Sequence, residues 1–283
     1  MQYIKLNDGN QLPMLGFGTY KATAEAGTRS VLEALGNGYR LIDTAAKYEN
    51  EEAVGKAIFQ SNIPREEILL TTKLWREDLG YDHTLKAVEQ SLQKLGLDYI
   101  DLYLIHWPAN EKNYGKDWQK ANAEAWRAME TLKDEGKIKS IGVSNFWKEH
   151  MEALLQTANV IPAVNQIEFH PGYWQPDLAK YCKEKGIVVQ AWSPLARGTV
   201  FGNELLQQIA VSHNKNIAQV CLRWAIQHEA IVIPKSTTLE RIKENTEVFD
   251  FALSAEEMNQ IDQMPEMGFS GELPNEWPDK VLV

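Results

Sequence analysis

The chain has 283 residues, which is long enough for one large α/β barrel or for two ordinary domains. Hydrophobic residues make up 44% of it and charged residues 24%, as in soluble globular proteins. The formal net charge of -10 argues against a nucleic-acid-binding protein, which would usually have a basic surface.

Cysteine usage and the N-terminus bear on the compartment. The two cysteines, Cys182 and Cys221, are too few for a disulfide framework in a chain of this length, which favours a reducing compartment. No signal-peptide pattern opens the chain, and no apolar run approaches the ~20 residues needed to span a bilayer. We expect a cytoplasmic monomer with neither a membrane nor a nucleic-acid partner.

The first predicted element is a β-hairpin, because residues 3–6 and 11–14 flank Asn7-Asp8-Gly9-Asn10. Apolar runs with strand character then follow at residues 15–20, 40–43, 68–74, 100–106, 138–143, 163–167, 187–191 and 230–233. Most of them are separated by segments with helical periodicity, at residues 25–37, 51–60, 84–95, 122–135, 148–156, 176–185 and 218–227.

Strict alternation of strand and helix predicts parallel strands joined by crossover helices. Eight such units in this length fit an α/β fold of the closed (β/α)8 TIM-barrel type. A doubly wound open sheet is the alternative. No Gly-x-Gly-x-x-Gly opens the first helix, so a Rossmann dinucleotide-binding half is unsupported.

Some segments fall outside this alternation. Two extra helices are predicted at residues 203–211 and 254–263, the second with Ser254 as N-cap and Glu257 three residues later. Residues 265–283, rich in Pro, Gly and Trp, are predicted to pack as a loop. Because no low-complexity linker interrupts the chain, we predict a single domain over residues 1–283.

One buried strand is predicted to end in a polar group. Residues 99–105 are apolar except for Asp101, His106 follows them, and Pro108 blocks further pairing. His106 could be a core histidine satisfied by a backbone carbonyl. It could also be a functional group that titrates near neutral pH and hydrogen-bonds a substrate. This stretch alone does not decide between the two.

Other predicted strands carry polar or aromatic residues at the same end, where barrel enzymes place their chemistry. These residues are Asp43, Tyr48, Lys73, Ser144, Asn145, Asn165, Gln166, Trp192, Ser193, Lys235 and Ser236. Taken singly, Asp43 could cap the next turn, and Tyr48 could be a surface aromatic. Lys73 could be solvated at its strand end, although an unpaired buried lysine would be costly.

Three of these residues, Asp43, Tyr48 and Lys73, together with His106, predict one catalytic arrangement. An ammonium at Lys73, held by Asp43, would favour the phenolate of Tyr48 and lower its pKa from the usual value of about 10. His106 could orient a carbonyl oxygen toward Tyr48. Such a proton donor needs a hydride source. The other histidines lack metal-ligand spacing, so we reject a metal-dependent hydrolase and expect no metal.

Several motifs around these positions are specific. They are GFGT at 16–19, DTAAKY at 43–48, TKLW at 72–75, LDYIDLYLIHWP at 97–108, IGVSNF at 141–146 and IPKS at 233–236. Together they resemble the aldo-keto reductase family over essentially the whole chain. The similarity is greatest to short microbial members such as glyoxal/methylglyoxal reductases and 2,5-diketo-gluconate reductases.

The resemblance implies a barrel that uses NADPH/NADP+ to reduce aldehydes and ketones to alcohols by hydride transfer. It implies a tetrad with Tyr48 as general acid and Lys73 lowering its pKa. Asp43 would anchor Lys73, and His106 would orient the carbonyl. The cofactor residues that it implies are Gly18, Thr19, Asp43, Ser144, Asn145, Gln166, Trp192, Ser193, Leu195, Lys235, Ser236, Thr237, Arg241, Glu244 and Asn245.

Within that set the resemblance assigns distinct parts of the cofactor. Ser144, Asn145 and Gln166 would hold the nicotinamide carboxamide, and Trp192 would stack on its ring. Ser193 and Leu195 would line the pyrophosphate, and the segment from Lys235 to Asn245 would surround the adenosine end. Lys235 and Arg241 suit a 2′-phosphate, because an ammonium and a guanidinium can bind its negatively charged oxygens. An ordinary helix start with solvated charges is the alternative for that segment.

The substrate pocket is predicted from position. Tyr20, Trp75 and Trp107 would form an apolar wall beside Tyr48 and His106, suited to small aldehydes, dicarbonyls and keto-sugars. The short loop at 193–198 does not favour a long strap over the cofactor, unlike longer animal members. The alternative function is a non-catalytic NADPH-binding regulatory subunit, which would bind NADPH tightly with negligible turnover.

Overall fold

The computed structural model describes residues 1–22 and 24–276. It begins with the predicted hairpin, in which β1 (Tyr3–Lys5) pairs antiparallel with β2 (Gln11–Pro13). At the turn, Gly9 has a φ of 92°, a left-handed conformation that suits glycine. The Asp-Gly signal between the two short strands is therefore confirmed.

In the described part of the chain, the remaining strands form one eight-stranded sheet in sequence order, with every neighbouring pair parallel. Its strands are β3 (Phe17–Gly18), β4 (Leu41–Asp43), β5 (Leu69–Leu74), β6 (Ile100–Ile105), β7 (Ile138–Ser144), β8 (Val164–Glu168), β9 (Val188–Trp192) and β10 (Ile231–Val232).

Backbone hydrogen bonds join the two ends of this sheet. Gly16 N donates to Val232 O at 2.8 Å, and Val232 N donates to Met14 O at 2.9 Å. Leu15 and Val232 form a parallel bridge at the same place. The sheet is therefore a closed (β/α)8 barrel, as predicted, and the open doubly wound alternative is wrong.

Helices follow the barrel strands. They are α1 (Ala24–Gly36), α2 (Glu51–Gln60), α3 (Tyr81–Leu95), α4 (Glu111–Tyr114), α5 (Trp118–Asp134), α6 (Lys148–Leu155), α7 (Pro176–Glu184), α8 (Glu204–Ser212), α9 (Ile217–Gln227), α10 (Leu239–Glu244) and α11 (Ala255–Asp262). Both predicted extra helices are confirmed as α8 and α11. The Ser254–Glu257 capping box is also present, because each side chain hydrogen-bonds the other residue's backbone N–H.

Two short helices were not predicted. Asn110 fixes the start of α4, because its side-chain oxygen accepts hydrogen bonds from the backbone N–H groups of Lys112 and Asn113. The other is α10, because a helix start after residue 235 was considered only as an alternative and not as a predicted element. None of the helices in the described residues is both long and apolar enough to cross a membrane.

The hairpin closes one end of the barrel. Leu6 and Leu12 lie in one buried cluster with barrel residues that include Leu41, Leu102 and Ile231. Burial of apolar surface stabilises this contact by about 25 cal/mol per Å². Because the hairpin covers the amino ends of the strands, the opposite end, where the strands finish, remains open for a site.

Candidate active site

The four predicted catalytic side chains meet at the carboxyl ends of neighbouring strands. Asp43 ends β4, Lys73 lies one residue before the end of β5, and His106 follows β6. A single 3-10 turn, Ala46–Tyr48, brings Tyr48 beside them. The Lys73 Nζ donates to Asp43 Oδ1 at 2.6 Å and to the Tyr48 hydroxyl at 3.4 Å. The ring centroids of Tyr48 and His106 are 5.5 Å apart.

The ion pair between Lys73 and Asp43 is buried, with side-chain exposures of 0% and 2%. Lys73 also donates to the Thr44 carbonyl at 2.8 Å, and the second Asp43 oxygen accepts from Gln166 Nε2 at 2.8 Å. Loss of hydration lowers the pKa of Lys73 and raises the pKa of Asp43, while the attraction within the pair opposes both shifts. The predicted contact between the two side chains is present.

The pKa of Tyr48 moves in the direction opposite to the predicted one. Burial of the phenol raises its pKa well above the usual value, and the negative charges nearby, Asp43 first, act in the same direction. Lys73 does not reverse this, because it lies closer to the Asp43 carboxylate than to the phenol oxygen. The prediction of a lowered pKa is therefore wrong, and Tyr48 is a protonated phenol at neutral pH.

His106 is a buried, neutral imidazole. Burial and the positive charge of Lys73 hold its pKa well below the usual value. Its Nδ1 has no hydrogen-bond partner among the described residues, and no backbone carbonyl there accepts from its ring. The ring lies edge-on to Tyr48 at 5.5 Å and to Trp75 at 5.3 Å. These contacts favour a group that faces a ligand over a satisfied core histidine.

A hydrogen-bonded layer of amides lies beside the tetrad. Ser144 Oγ donates to the Gln166 carbonyl at 2.8 Å, and Gln166 Nε2 donates to Gln190 Oε1 at 2.8 Å. Asn145 has a φ of 61°, a left-handed conformation that asparagine tolerates, and its Oδ1 accepts from Trp192 Nε1 at 2.8 Å. The layer therefore holds the Trp192 ring in a defined position.

A cavity of about 1010 Å³ opens over this layer. It is lined by most of the predicted residues, namely Gly18, Tyr20, Asp43, Tyr48, Trp75, His106, Trp107, Ser144, Asn145, Gln166, Trp192, Ser193, Leu195, Lys235, Ser236, Thr237, Arg241, Glu244 and Asn245.

Two predicted site residues lie behind the cavity wall. Lys73 reaches the site only through Asp43 and Tyr48. Thr19 is fully buried, and its hydroxyl donates to the Asp43 carbonyl at 3.0 Å. The Thr19 side chain therefore supports the backbone that carries Asp43, and its assignment to the cofactor stays a prediction.

One side of the cavity is formed where β3 approaches the segment after β10. Gly18 N donates to the Pro234 carbonyl at 3.1 Å, and a Cβ at Gly18 would lie 2.8 Å from the Ile233 carbonyl oxygen. A larger residue would force the two segments apart. Lys235 and Arg241 are exposed here, and neither has a carboxylate partner in the described parts of the chain.

An ion pair that the sequence did not predict closes one side of the cavity. Arg197, in the loop after β9, donates to Glu272 at 2.8 Å, across a sequence separation of 75 residues. Arg197 and Gly198 both have left-handed backbones, with φ of 52° and 99°. This turn places the guanidinium 6.0 Å from the Trp192 ring. No local pattern signals the pair, because the tail that carries Glu272 is positioned by tertiary contacts.

The tail that carries Glu272 is a loop beside the strand ends. This agrees with the loop predicted there, for the part of the tail that the structure describes. Residues 265–276 form it, and residues 277–283 of the predicted loop lie outside the described residues. It is held by hydrogen bonds between Glu168 and Ser270, Asn110 and Pro274, and His150 and Asn275.

Comparison with known proteins agrees with this geometry. Residues 14–266 match the model described as the Aldo/keto reductase family. The chain belongs to this family. The aldo/keto reductase described here is 50% identical over 274 residues to the "Glyoxal reductase" of Bacillus subtilis (strain 168), with 96% of each chain covered.

Solved structures of similar proteins share the architecture of this aldo/keto reductase. An aldo/keto reductase from Brucella melitensis is 48% identical with a TM-score of 0.87, covering 92% of this chain and 98% of that one. A mutant of Gox0644 in complex with NADPH is 41% identical with a TM-score of 0.90, over 98% of both chains. The resemblance inferred from the motifs is confirmed.

Proposed function

We propose that this aldo/keto reductase uses NADPH to reduce small aldehydes and ketones to alcohols, with Tyr48 as general acid. The observation that carries the proposal is the Tyr48 hydroxyl, hydrogen-bonded to Lys73 at 3.4 Å and facing the same cavity as the neutral His106 ring. A proton donor and a neutral hydrogen-bond donor side by side suit the oxygen of a carbonyl group.

The cavity suits NADPH by its charges and its flat surfaces. Lys235 and Arg241 are exposed in its lining, where a 2′-phosphate would find an ammonium and a guanidinium. At the Tyr48 end, the Trp192 ring is held by Asn145 and can stack on a nicotinamide. When bound, the reduced nicotinamide supplies the hydride that adds to the carbonyl carbon.

The side chains of this protein act on the carbonyl oxygen. The neutral His106 ring donates a hydrogen bond that orients the oxygen toward Tyr48. As the carbonyl becomes an alkoxide, Tyr48 gives it a proton. An alkoxide is a stronger base than a phenolate, so a raised phenol pKa does not prevent this transfer. The nearby Lys73 ammonium then stabilises the phenolate, and Asp43 holds the ammonium in place.

Loss of NADPH absorbance tests the function directly. Purified protein should oxidise NADPH in the presence of small aldehydes, dicarbonyls or keto-sugars, with one alcohol formed for each NADPH consumed. Tight NADPH binding without turnover of any member of this panel would favour the regulatory subunit and contradict the proposal.

Lys235 and Arg241 are expected to set the preference for NADPH over NADH. Lys235→Gln and Arg241→Gln should each weaken NADPH binding about five- to tenfold, because each removes one charge-assisted contact at a partly exposed site. Binding of NADH, which lacks the phosphate, should change by less than about twofold. Fluorescence titration measures both affinities. Lys243→Gln, an exposed lysine on α10 that does not line the cavity, is the control. Equal losses for both cofactors would count against the phosphate site.

The pair between Arg197 and Glu272 is expected to slow cofactor release. Glu272→Gln should raise the NADPH dissociation rate about threefold, because an ion pair that is partly exposed contributes at most about 1 kcal/mol. Stopped-flow displacement measures this rate. Glu266→Gln, in the same tail but away from the cavity, should have no effect. If NADPH dissociated from Glu272→Gln at the same rate as from the unmodified protein, the pair would not cover the cofactor.

A further inference from the structure

The mouth of the cavity on the substrate side carries more positive than negative charge. Its lining includes the cations Lys21, Lys47 and Arg76 and the carboxylate of Glu77. The Asp43 carboxylate, which also lines the cavity, is paired with Lys73. Another carboxylate near this end, Glu272, is neutralised by its pair with Arg197 (2.8 Å). The whole chain has a net charge of -10, so this local excess is opposite in sign to the protein.

Among these cations, Lys47 lies nearest to the proposed chemistry along the chain, because it directly precedes Tyr48. Its Nζ is 5.2 Å from the centroid of the Trp75 ring, and that ring is 5.3 Å from the His106 ring. The ammonium and the His106 ring therefore both lie near the same indole, Trp75. Lys47 is exposed, and it has no carboxylate partner in residues 1–22 and 24–276.

The other two cations are placed differently. The Arg76 side chain is buried, with its guanidinium 5.5 Å from the Trp75 ring. Lys21 lies over Tyr20, at 5.4 Å from the ring. Lys47 is thus an exposed ammonium close to Trp75, one of the aromatic residues predicted to line the substrate pocket.

We propose that Lys47 makes this enzyme select carbonyl compounds that carry a carboxylate a few carbons away from the reacting carbonyl. The inference rests on the proposed reductase function and adds a substrate class to it. With the carbonyl oxygen between Tyr48 and His106, a short chain lying along Trp75 would bring its carboxylate to Lys47. Charge attraction is stronger beside an apolar ring wall than in open water. A single ammonium matches a single carboxylate.

Matched substrate pairs test this proposal. The kcat/KM values are measured with NADPH for butanal against 4-oxobutanoate, and for benzaldehyde against 4-carboxybenzaldehyde. Each pair has the same reacting aldehyde and differs in charge. Any effect of a variant on the cofactor is common to both members of a pair, so it cancels in the ratio of anionic to neutral kcat/KM.

In the unmodified enzyme the ratio should favour the anionic member. Lys47→Gln should lower the ratio about five- to tenfold, mainly through KM of the anionic member, and Lys47→Glu should lower it further. Lys47→Arg should retain it, because the charge remains. Lys56→Gln, an exposed lysine on α2 away from the cavity, should leave the ratio unchanged.

Two results would overturn the proposal. A ratio that is the same in Lys47→Gln and in the unmodified enzyme would show that Lys47 does not contact the substrate. Equal losses for both members of a pair would show that Lys47 only packs against Trp75. Failure of the reductase function is distinguished from both, because it would abolish turnover of the neutral aldehydes in the unmodified enzyme.

Discussion

Tyr48→Phe should lower kcat for aldehyde reduction by about 10²–10⁴-fold, the range typical of a lost general acid. The substitution removes only the hydroxyl that Lys73 contacts at 3.4 Å and keeps the ring, so the shape of the cavity is unchanged. NADPH affinity should therefore stay within about twofold. Steady-state kinetics and a fluorescence titration with NADPH measure the two quantities separately.

The control for this substitution is Tyr3→Phe, which removes a hydroxyl from an exposed tyrosine in the hairpin. It should leave both kcat and NADPH affinity unaltered. If Tyr48→Phe retained full turnover, Tyr48 would not be the acid. If it lost NADPH binding in parallel with kcat, the hydroxyl would serve the cofactor and the proton would come from elsewhere.

Lys73→Met should lower the free energy of unfolding by about 3–5 kcal/mol, because it leaves a buried carboxylate without its partner. Asp43 is 2% exposed, and within the described residues its remaining side-chain hydrogen bond is with Gln166. Turnover should also fall, because no ammonium is left to stabilise the phenolate of Tyr48. Urea denaturation and steady-state kinetics measure the two effects.

A double variant separates these two effects. Lys73→Met combined with Asp43→Asn removes both charges, so it should regain part of the lost stability while turnover stays low. Lys183→Met is the control, because it breaks an ion pair with Glu229 of similar length, 2.7 Å, between side chains that are 76% and 62% exposed. That loss should be at most about 1 kcal/mol. A loss as small as this in Lys73→Met would mean that the buried pair contributes no more than a surface pair.

The chain order of elements was predictable because it depends on local patterns. Apolar runs of strand length alternate with segments of helical period, and each pattern reflects which side chains a strand or helix can bury. The N-cap of α11 was predictable for the same reason, since Ser254 and Glu257 satisfy each other's backbone within one turn. The short helices α4 and α10 were missed because so few residues show no periodicity.

The members of the tetrad could also be predicted from the sequence. Parallel strands in sequential order bring their carboxyl ends together, so residues at those ends become neighbours without further information. Asp43, Lys73 and His106 are placed by this rule, and Tyr48 by the short turn after β4. The rule does not tell which way a side chain at a strand end points, and Lys73, near the end of β5, lies behind the cavity wall.

The sequence by itself therefore determined the barrel, the family and the residues around its mouth, because these follow from periodicity and strand order. Only the tertiary structure decided the pKa values of the site residues and the ion pair that closes one side of the cavity. The raised pKa of Tyr48 depends on burial, and the pairing of Arg197 with Glu272 depends on how a distant tail docks. Hydration and long-range contacts are properties of the folded surface, so no local pattern of residues contains them.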